Sequence, residues 1–269
     1  MTTLQNLHRK IRHYCLDNFD HWINIYQKLR ENRPNTLSYS YEPNDYDIFP
    51  RYQANQALLQ GVEEIEPTNY STINDLKKSI IESALKSQTI FTKEVYGTAK
   101  NAIEDERKKF KAFVGNITES DLLNVPDLFY RRKISDIETY NWKIKLKLHS
   151  VDFTGFWFPK NDIRLNNCDF LVFDEDAVAQ ESEKNINEIV KSFIEDKYFV
   201  FNEDNVNYEL EKDTFDIFNL SPETFLFDKK FYWLIYYSHE DFYIIKNKQI
   251  AERLKNDFPQ LKESMNELT

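Results

Sequence analysis

The stretch from Asp228 to Asn247, DKKFYWLIYYSHEDFYIIKN, constrains the fold more than any other part of the chain. Two apolar runs, Phe231 to Tyr237 and Phe242 to Ile245, flank the polar break Ser238, His239, Glu240 and Asp241, which is the pattern of a β-hairpin. The first run is apolar on both faces. That suits a central strand covered on each side, and not a half-wet edge.

Other short, aromatic-rich runs bounded by Asn, Asp, Pro or Gly precede the hairpin: Phe153 to Phe158, Phe170 to Phe173, Tyr198 to Phe201, Val206 to Leu210 and Thr224 to Phe227. They read as strands. Between the second and third lies a helical pattern, Glu181 to Asp196, with Ile186, Ile189, Val190 and Phe193 on its inner face. This spacing allows a parallel strand pair joined by a crossover helix. Gln249 to Phe258 reads as a closing helix before Pro259, followed by a fraying tail.

The first half has the helical period. Leu4, Leu7, Ile11, Tyr14, Trp22, Ile25 and Leu29 make one amphipathic stripe. Pro34, Pro43 and Pro50 then punctuate a loop over 34–50 that carries Tyr39, Tyr41 and Tyr46, and a long loop with rigid aromatics is a candidate binding loop. Arg51 to Val62 is a short helix. Ser71 or Thr72 caps a helical region running to Phe113, with a break near Gly97. Thr118-x-x-Asp121 starts a short helix before Pro126. Ser135-x-x-Glu138 is a capping box, which favours a helix to about Leu148. A strand is the competing reading, because Trp142, Ile144, Leu146 and Leu148 alternate with Lys143, Lys145 and Lys147. The expected fold class is α+β, a helical N-terminal region (1–148) packed on a C-terminal mixed α/β region (149–269) with the aromatic hairpin in its sheet.

Composition excludes some chemistry. Only four glycines occur, Gly61, Gly97, Gly115 and Gly155, no two of them close together. No dinucleotide fingerprint or phosphate-cradling loop can be built from them, so no cofactor is expected. Cys15 and Cys168 match no metal spacing, and a reduced compartment fits them. The N-terminus lacks the apolar core of a signal peptide, and no run of about 18 apolar residues occurs. A cytoplasmic protein off the membrane is expected.

Charge supplies the functional expectation. The net charge is −10. Residues 151–269 hold 25 Asp and Glu against 13 Lys and Arg, whereas residues 1–150 are nearly balanced. Six acids, Glu203, Asp204, Glu209, Glu211, Asp213 and Asp216, face the single lysine Lys212. They read either as a solvated loop or as a docking face for a basic protein, with free nucleic acid disfavoured by repulsion. The leading expectation is a non-enzymatic bacterial protein-binding module of immunity or antitoxin type, engaging a basic partner through these acids and Tyr39, Tyr41 and Tyr46. The alternatives are a metal-dependent hydrolase or nuclease, and a structural subunit of a larger complex.

Three constellations bear on an enzyme. His13, Asp17 and His21, at i, i+4 and i+8, stack along one helix face as metal ligands would, or as three solvated side chains. Ser238-His239-Glu240 spells a triad, but neighbours in extended chain point to opposite faces. Glu195-Asp196-Lys197 with Asp169 or Asp174 resembles the carboxylates of a metal nuclease, except that Glu195 ends a helix. Two basic clusters, Arg107 to Lys111 and Arg131 to Lys133, could meet phosphate. In the first, ordinary helix-end electrostatics suffices.

Overall fold

The structure, a computed structural model, describes residues 2–31, 33, 42–148, 170–178, 180–202 and 206–263. The chain divides into two compact units, Met1–Leu128 and Phe129–Thr269.

The first unit is helical: α1 (Thr3–Glu31), α2 (Asp45–Glu63), α3 (Ile73–Lys86) and α4 (Gly97–Asn116), with short 3-10 turns at Pro67–Asn69 and Glu119–Leu122. Local chemistry starts two of these elements. The Thr72 side chain accepts from the Asp75 backbone N–H, and Thr118 and Asp121 satisfy each other's backbone donors in a capping box. Helix α2 is the centre, packed on α1, α3 and α4. It lacks the one-sided apolar stripe of a surface helix because neighbours cover it on several sides. Leu58, Leu59 and Val62 of α2 join Leu7, Ile11 and Cys15 of α1, Leu76, Ile80 and Ala84 of α3, and Phe110 and Val114 of α4 in one core. At Gly61 a Cβ would stand 2.4 Å from the Ala84 Cα, so the α2–α3 approach requires glycine there.

One expectation for this unit changes. Residues 45–50 are the first turns of α2, not loop, and Pro50 lies inside the helix and is buried. Proline removes one donor and ordinarily ends a helix, but the packing of α2 against its neighbours offsets that loss. The long helical region divides at Gly97, as its pattern indicates: α3 stops at Lys86, and α4 begins at Gly97, which has φ +59°.

The second unit is a seven-stranded sheet with helices on both faces. Its elements are β1 (Arg131–Lys133), α5 (Asp136–Leu148), β2 (Phe170–Asp174), α6 (Gln180–Lys191), β3 (Lys197–Asn202), β4 (Tyr208–Glu211), β5 (Thr224–Phe227), β6 (Leu234–Tyr237), β7 (Phe242–Lys246), α7 (Lys248–Asp257) and α8 (Gln260–Glu263). The strand order is β1-β4-β3-β5-β6-β7-β2, and every neighbouring pair is antiparallel. The chain is therefore α+β, as its patterning indicates. The crossover through α6 exists, but it does not make a parallel pair, because β2 and β3 are not neighbours. Strands β5, β6 and β7 fill the space between them.

Strand alternation sorts the core into two layers. Leu226, Ile235, Tyr237, Tyr243 and Ile245 point to the face covered by α6 and α7, through Ile186, Val190, Ile250 and Leu254. Phe225, Phe227, Leu234, Tyr236, Phe242 and Ile244 point to the other face with Phe199 and Phe201, where α5 contributes Trp142 and Leu146. Rings interlock there, with Phe199 and Phe227 stacked at 5.3 Å and Trp142 4.6 Å from Phe199. Strand β6 is buried along its whole length, as its doubly apolar sequence requires. The expected strand at 153–158 lies outside the described residues. No described helix is long and apolar enough to cross a membrane.

Candidate functional site

Two surfaces of the second unit gather polar chemistry. The first is the end of the sheet at the β6–β7 turn. Ser238 N–H donates to the Phe242 carbonyl at 3.0 Å, and Asp241 turns the chain at φ +57°. Just before β5, Glu223 also has positive φ, +59°, a conformation that costs a non-glycine residue energy and that surrounding bonds must hold. One Glu223 carboxylate oxygen accepts the His239 backbone N–H at 3.0 Å and lies 2.5 Å from His239 Nδ1. The other accepts the Tyr236 hydroxyl. The result is a carboxylate-oriented imidazole that is 47% exposed, beside a buried phenol. Ser238 takes no part: its Oγ accepts from the Glu240 N–H at 3.2 Å. On the opposite face the Tyr237 hydroxyl donates to Glu175 at 2.8 Å. Burial, reinforced by Glu175 and Asp241, raises the Tyr237 pKa above its ordinary value.

The second surface is the outward side of α5. Its capping box is formed: Glu138 N–H donates to Ser135 Oγ at 3.3 Å, and Ser135 N–H donates to Glu138 at 3.3 Å. Trp142 and Leu146 turn inward to the sheet, so the 3.6-residue period places Ile137, Tyr140 and Ile144 outward. Ile137 is 77% exposed, Tyr140 66% and Ile144 45%. Lys145 Nζ sits 4.2 Å above the Trp142 ring. On the preceding edge strand Arg131 is registered with Leu210 and so points to the opposite sheet face, where its guanidinium lies 3.8 Å from the Tyr208 ring centroid. Between 129 and 147 six Lys and Arg meet only Asp136 and Glu138, and Glu138 is engaged by Arg132 at 3.0 Å.

The candidate acids do not form one patch. Glu209 is half-buried on β4, where it accepts Arg132 Nε at 2.8 Å and the Tyr130 hydroxyl at 3.0 Å. Glu209 and Glu211 lie on the sheet face toward α5. Asp213 and Asp216 turn instead to α6, through Lys191 at 3.7 Å and Asn187 at 2.7 Å. Glu203 and Asp204, like Tyr39 and Tyr41, lie outside the described residues. Tyr46 is in the first turn of α2 and is 52% exposed.

The residues weighed for metal chemistry do not converge either. His13 Nε2 bonds the Pro126 carbonyl at 3.1 Å, and His13 and Asp17 share a cleft of about 300 Å³ with Lys10, Tyr14 and Phe113. His21 meets the edge of Trp22. Glu195 is held by Lys230 at 2.7 Å. Among the described residues no three His, Cys, Asp or Glu side chains are arranged to hold a metal ion.

Fold and surfaces together define an α+β chain with a helical unit, a sheet unit and an exposed apolar face on α5. In an alignment of 252 positions that covers 86% of its length, the chain is 26% identical to the tRNA(Ile)-lysidine synthase of Mycoplasma mycoides subsp. mycoides SC, and it spans 61% of that enzyme's length. No family model matches the chain, and no solved structure matches it. Similarity to an enzyme of tRNA overturns the expectation of an immunity or antitoxin-type binding module, and with it the exclusion of free nucleic acid. The physical error lay in averaging charge over whole halves. Repulsion by 25 acids is a property of the unit's mean field, whereas a strand of RNA responds to the few ångströms it touches, within a Debye length of about 8 Å.

Proposed function

We propose that the chain engages tRNA and serves in tRNA modification. The observation that carries this reading is the alignment along 86% of the chain with a tRNA(Ile)-lysidine synthase. The exposed ring of Tyr140 on α5 is consistent with it, because ring faces accept bases. The four dispersed glycines offer no phosphate-cradling loop, so the contribution of this chain is to hold the RNA and not to bind a nucleotide cofactor. Such a role fits a cytoplasmic protein.

Fluorescence anisotropy of labelled tRNA titrated with the purified chain tests the reading. Saturable binding is expected at low salt, weakening steadily as salt rises. No binding to tRNA at low salt would overturn it.

A further inference from the structure

The cleft beside α1, within the helical unit, gathers side chains that neither core packing nor helix capping explains. Lys10, His13, Tyr14 and Asp17 recur at i, i+3, i+4 and i+7, so the helical period sets them on one face of α1. Phe113 of α4 and Asn124 add to the lining of a space of about 300 Å³. That is the lower end of the range for ligand pockets, room for one heterocycle and not for an extended cofactor.

The cleft has a wall of rings and polar ends. Tyr14 and Phe113 are stacked, with 4.1 Å between centroids and 18° between planes, and both are half-buried, so a planar ligand can extend the stack. Burial, with Glu106 adding to it, pushes the Tyr14 hydroxyl up to about 12, which keeps it a donor at neutral pH. A carbonyl only accepts, so the His13 Nε2 that meets the Pro126 carbonyl carries the hydrogen, and Nδ1 is an acceptor in the neutral ring. Among the described residues none bonds the Asp17 carboxylate or the Asn124 amide. Lys10 feels the charge of Asp121 without being paired with it.

Charge and length select the occupant. A carboxylate stands at one end of the stripe and an ammonium at the other, Asp17 and Lys10, two turns or about 10 Å apart at the helical rise. A nucleotide has the same order: an edge of N–H donors, a flat ring, then a phosphate. Ligands without a ring leave the Tyr14–Phe113 wall unused. Of the four bases, guanine alone offers one carboxylate two adjacent donors, its ring N–H and its exocyclic amino group.

We propose that this cleft takes one unpaired guanine of the tRNA, with its donor edge on Asp17, its ring against the Tyr14–Phe113 stack and its phosphate on Lys10. This rests on the tRNA reading above. Pairing in a duplex occupies that edge and covers the ring faces, so only an unpaired nucleotide presents both. One lysine serves one phosphate, in keeping with dispersed glycines that cradle none.

The test is binding of the full-length chain to tRNA, to a short unstructured RNA holding one guanine, to the same RNA with adenine in its place, and to guanosine monophosphate. Wild type is expected to favour the guanine-bearing RNA by about tenfold, as one good bidentate pair does, and Asp17→Asn is expected to erase that preference. Lys10→Gln is expected to weaken both RNAs alike and to reduce the slope of log affinity against log salt by about 0.7, one single-strand phosphate contact. Far-ultraviolet circular dichroism should be unchanged in both variants, because neither side chain belongs to the core.

If wild type binds no tRNA, the functional reading falls together with this one. If wild type binds tRNA and both variants bind it equally well, the tRNA reading stands and the cleft is not its contact. A guanine preference that is absent in wild type, or that survives in Asp17→Asn, would overturn the base assignment. Saturable binding of guanosine monophosphate that is lost in Asp17→Asn, with tRNA affinity unchanged, would make the occupant a free nucleotide and overturn the RNA source.

Discussion

The two units bury charge differently. In the helical unit three carboxylates are almost fully enclosed, each beside an arginine: Glu63 with Arg12 at 3.1 Å, Asp45 with Arg33 at 2.6 Å and Glu106 with Arg51 at 2.9 Å. Asn55 and Lys109 add further bonds to Glu106. In the sheet unit the enclosed side chains are chiefly rings and aliphatics, and the buried polar residues Asn207, Thr224 and Ser238 are neutral. Rings hold strands together at almost any pH. Buried ion pairs hold helices in one register only while both partners are charged, so the helical unit should be the conditional half of the molecule.

The largest effect expected from that contrast is at Glu63. Glu63→Ala leaves the Arg12 guanidinium enclosed without its counter-charge, at a cost of about 3–5 kcal/mol in urea unfolding. Replacing Arg12 and Glu63 together by leucine should return most of it. A loss under about 1 kcal/mol for the single variant would break the contrast.

Acid should come next. Burial holds His8 neutral, with Arg12 adding to the effect and the bond to the Val62 carbonyl at 2.9 Å opposing it, so its pKa falls to about 4. The unfolded chain takes up that proton near pH 6.5 and the folded chain does not. Stability should therefore decrease as pH falls from about 6.5 to about 4, by on the order of 3 kcal/mol, and His8→Gln should flatten that limb. Asp45 and Glu106 extend the loss to lower pH. The bond from Arg33 holds the Asp45 carboxyl below its ordinary range. For Glu106 burial pulls the other way, but bonds from Lys109, Asn55 and Arg51 outweigh it. Their stability is present above the ordinary carboxylate range and is lost as pH falls through the lowered values. Unfolding midpoints measured from pH 8 downward check both limbs.

Gly61→Ala sharpens the same comparison through packing, since the new methyl would meet Ala84 backbone and force α2 from α3, costing roughly 1–3 kcal/mol by chemical denaturation. The smallest change is expected in the sheet unit. Asp241→Gly relieves the positive φ of the hairpin turn but gives up the long 3.4 Å contact with Tyr237, so its melting temperature should stay within a few degrees of wild type.

Much of the architecture was legible. Thr72, Thr118 and Ser135 announced helical starts because a cap is a bond between residues three apart. The run Phe231 to Tyr237, apolar on both faces, announced a strand covered on each side, because Cβ atoms alternate whatever lies beyond them. The candidate sites were less so. Glu209 looked like part of an acidic face, and Arg132, 77 positions earlier, bonds it. The lysines of α5 were visible as an alternation but were read only as evidence between helix and strand. The Glu223–Tyr236–His239 cluster had no such signal, because Glu223 reaches His239 only through the pairing of β5 with β6.

The sequence by itself determined where helices and strands form and which residues face inward along each one, because those outcomes depend on backbone periodicity and on bonds spanning three or four residues. Only the tertiary structure decided that β2 lies at the edge beside β7, that Arg12, Arg33 and Arg51 enclose the carboxylates of the helical unit, and that α5 turns Trp142 to the sheet and Tyr140 to solvent. These depend on contacts between residues tens of positions apart. Their closure entropy is repaid only by the packing of the whole unit, which no local pattern encodes.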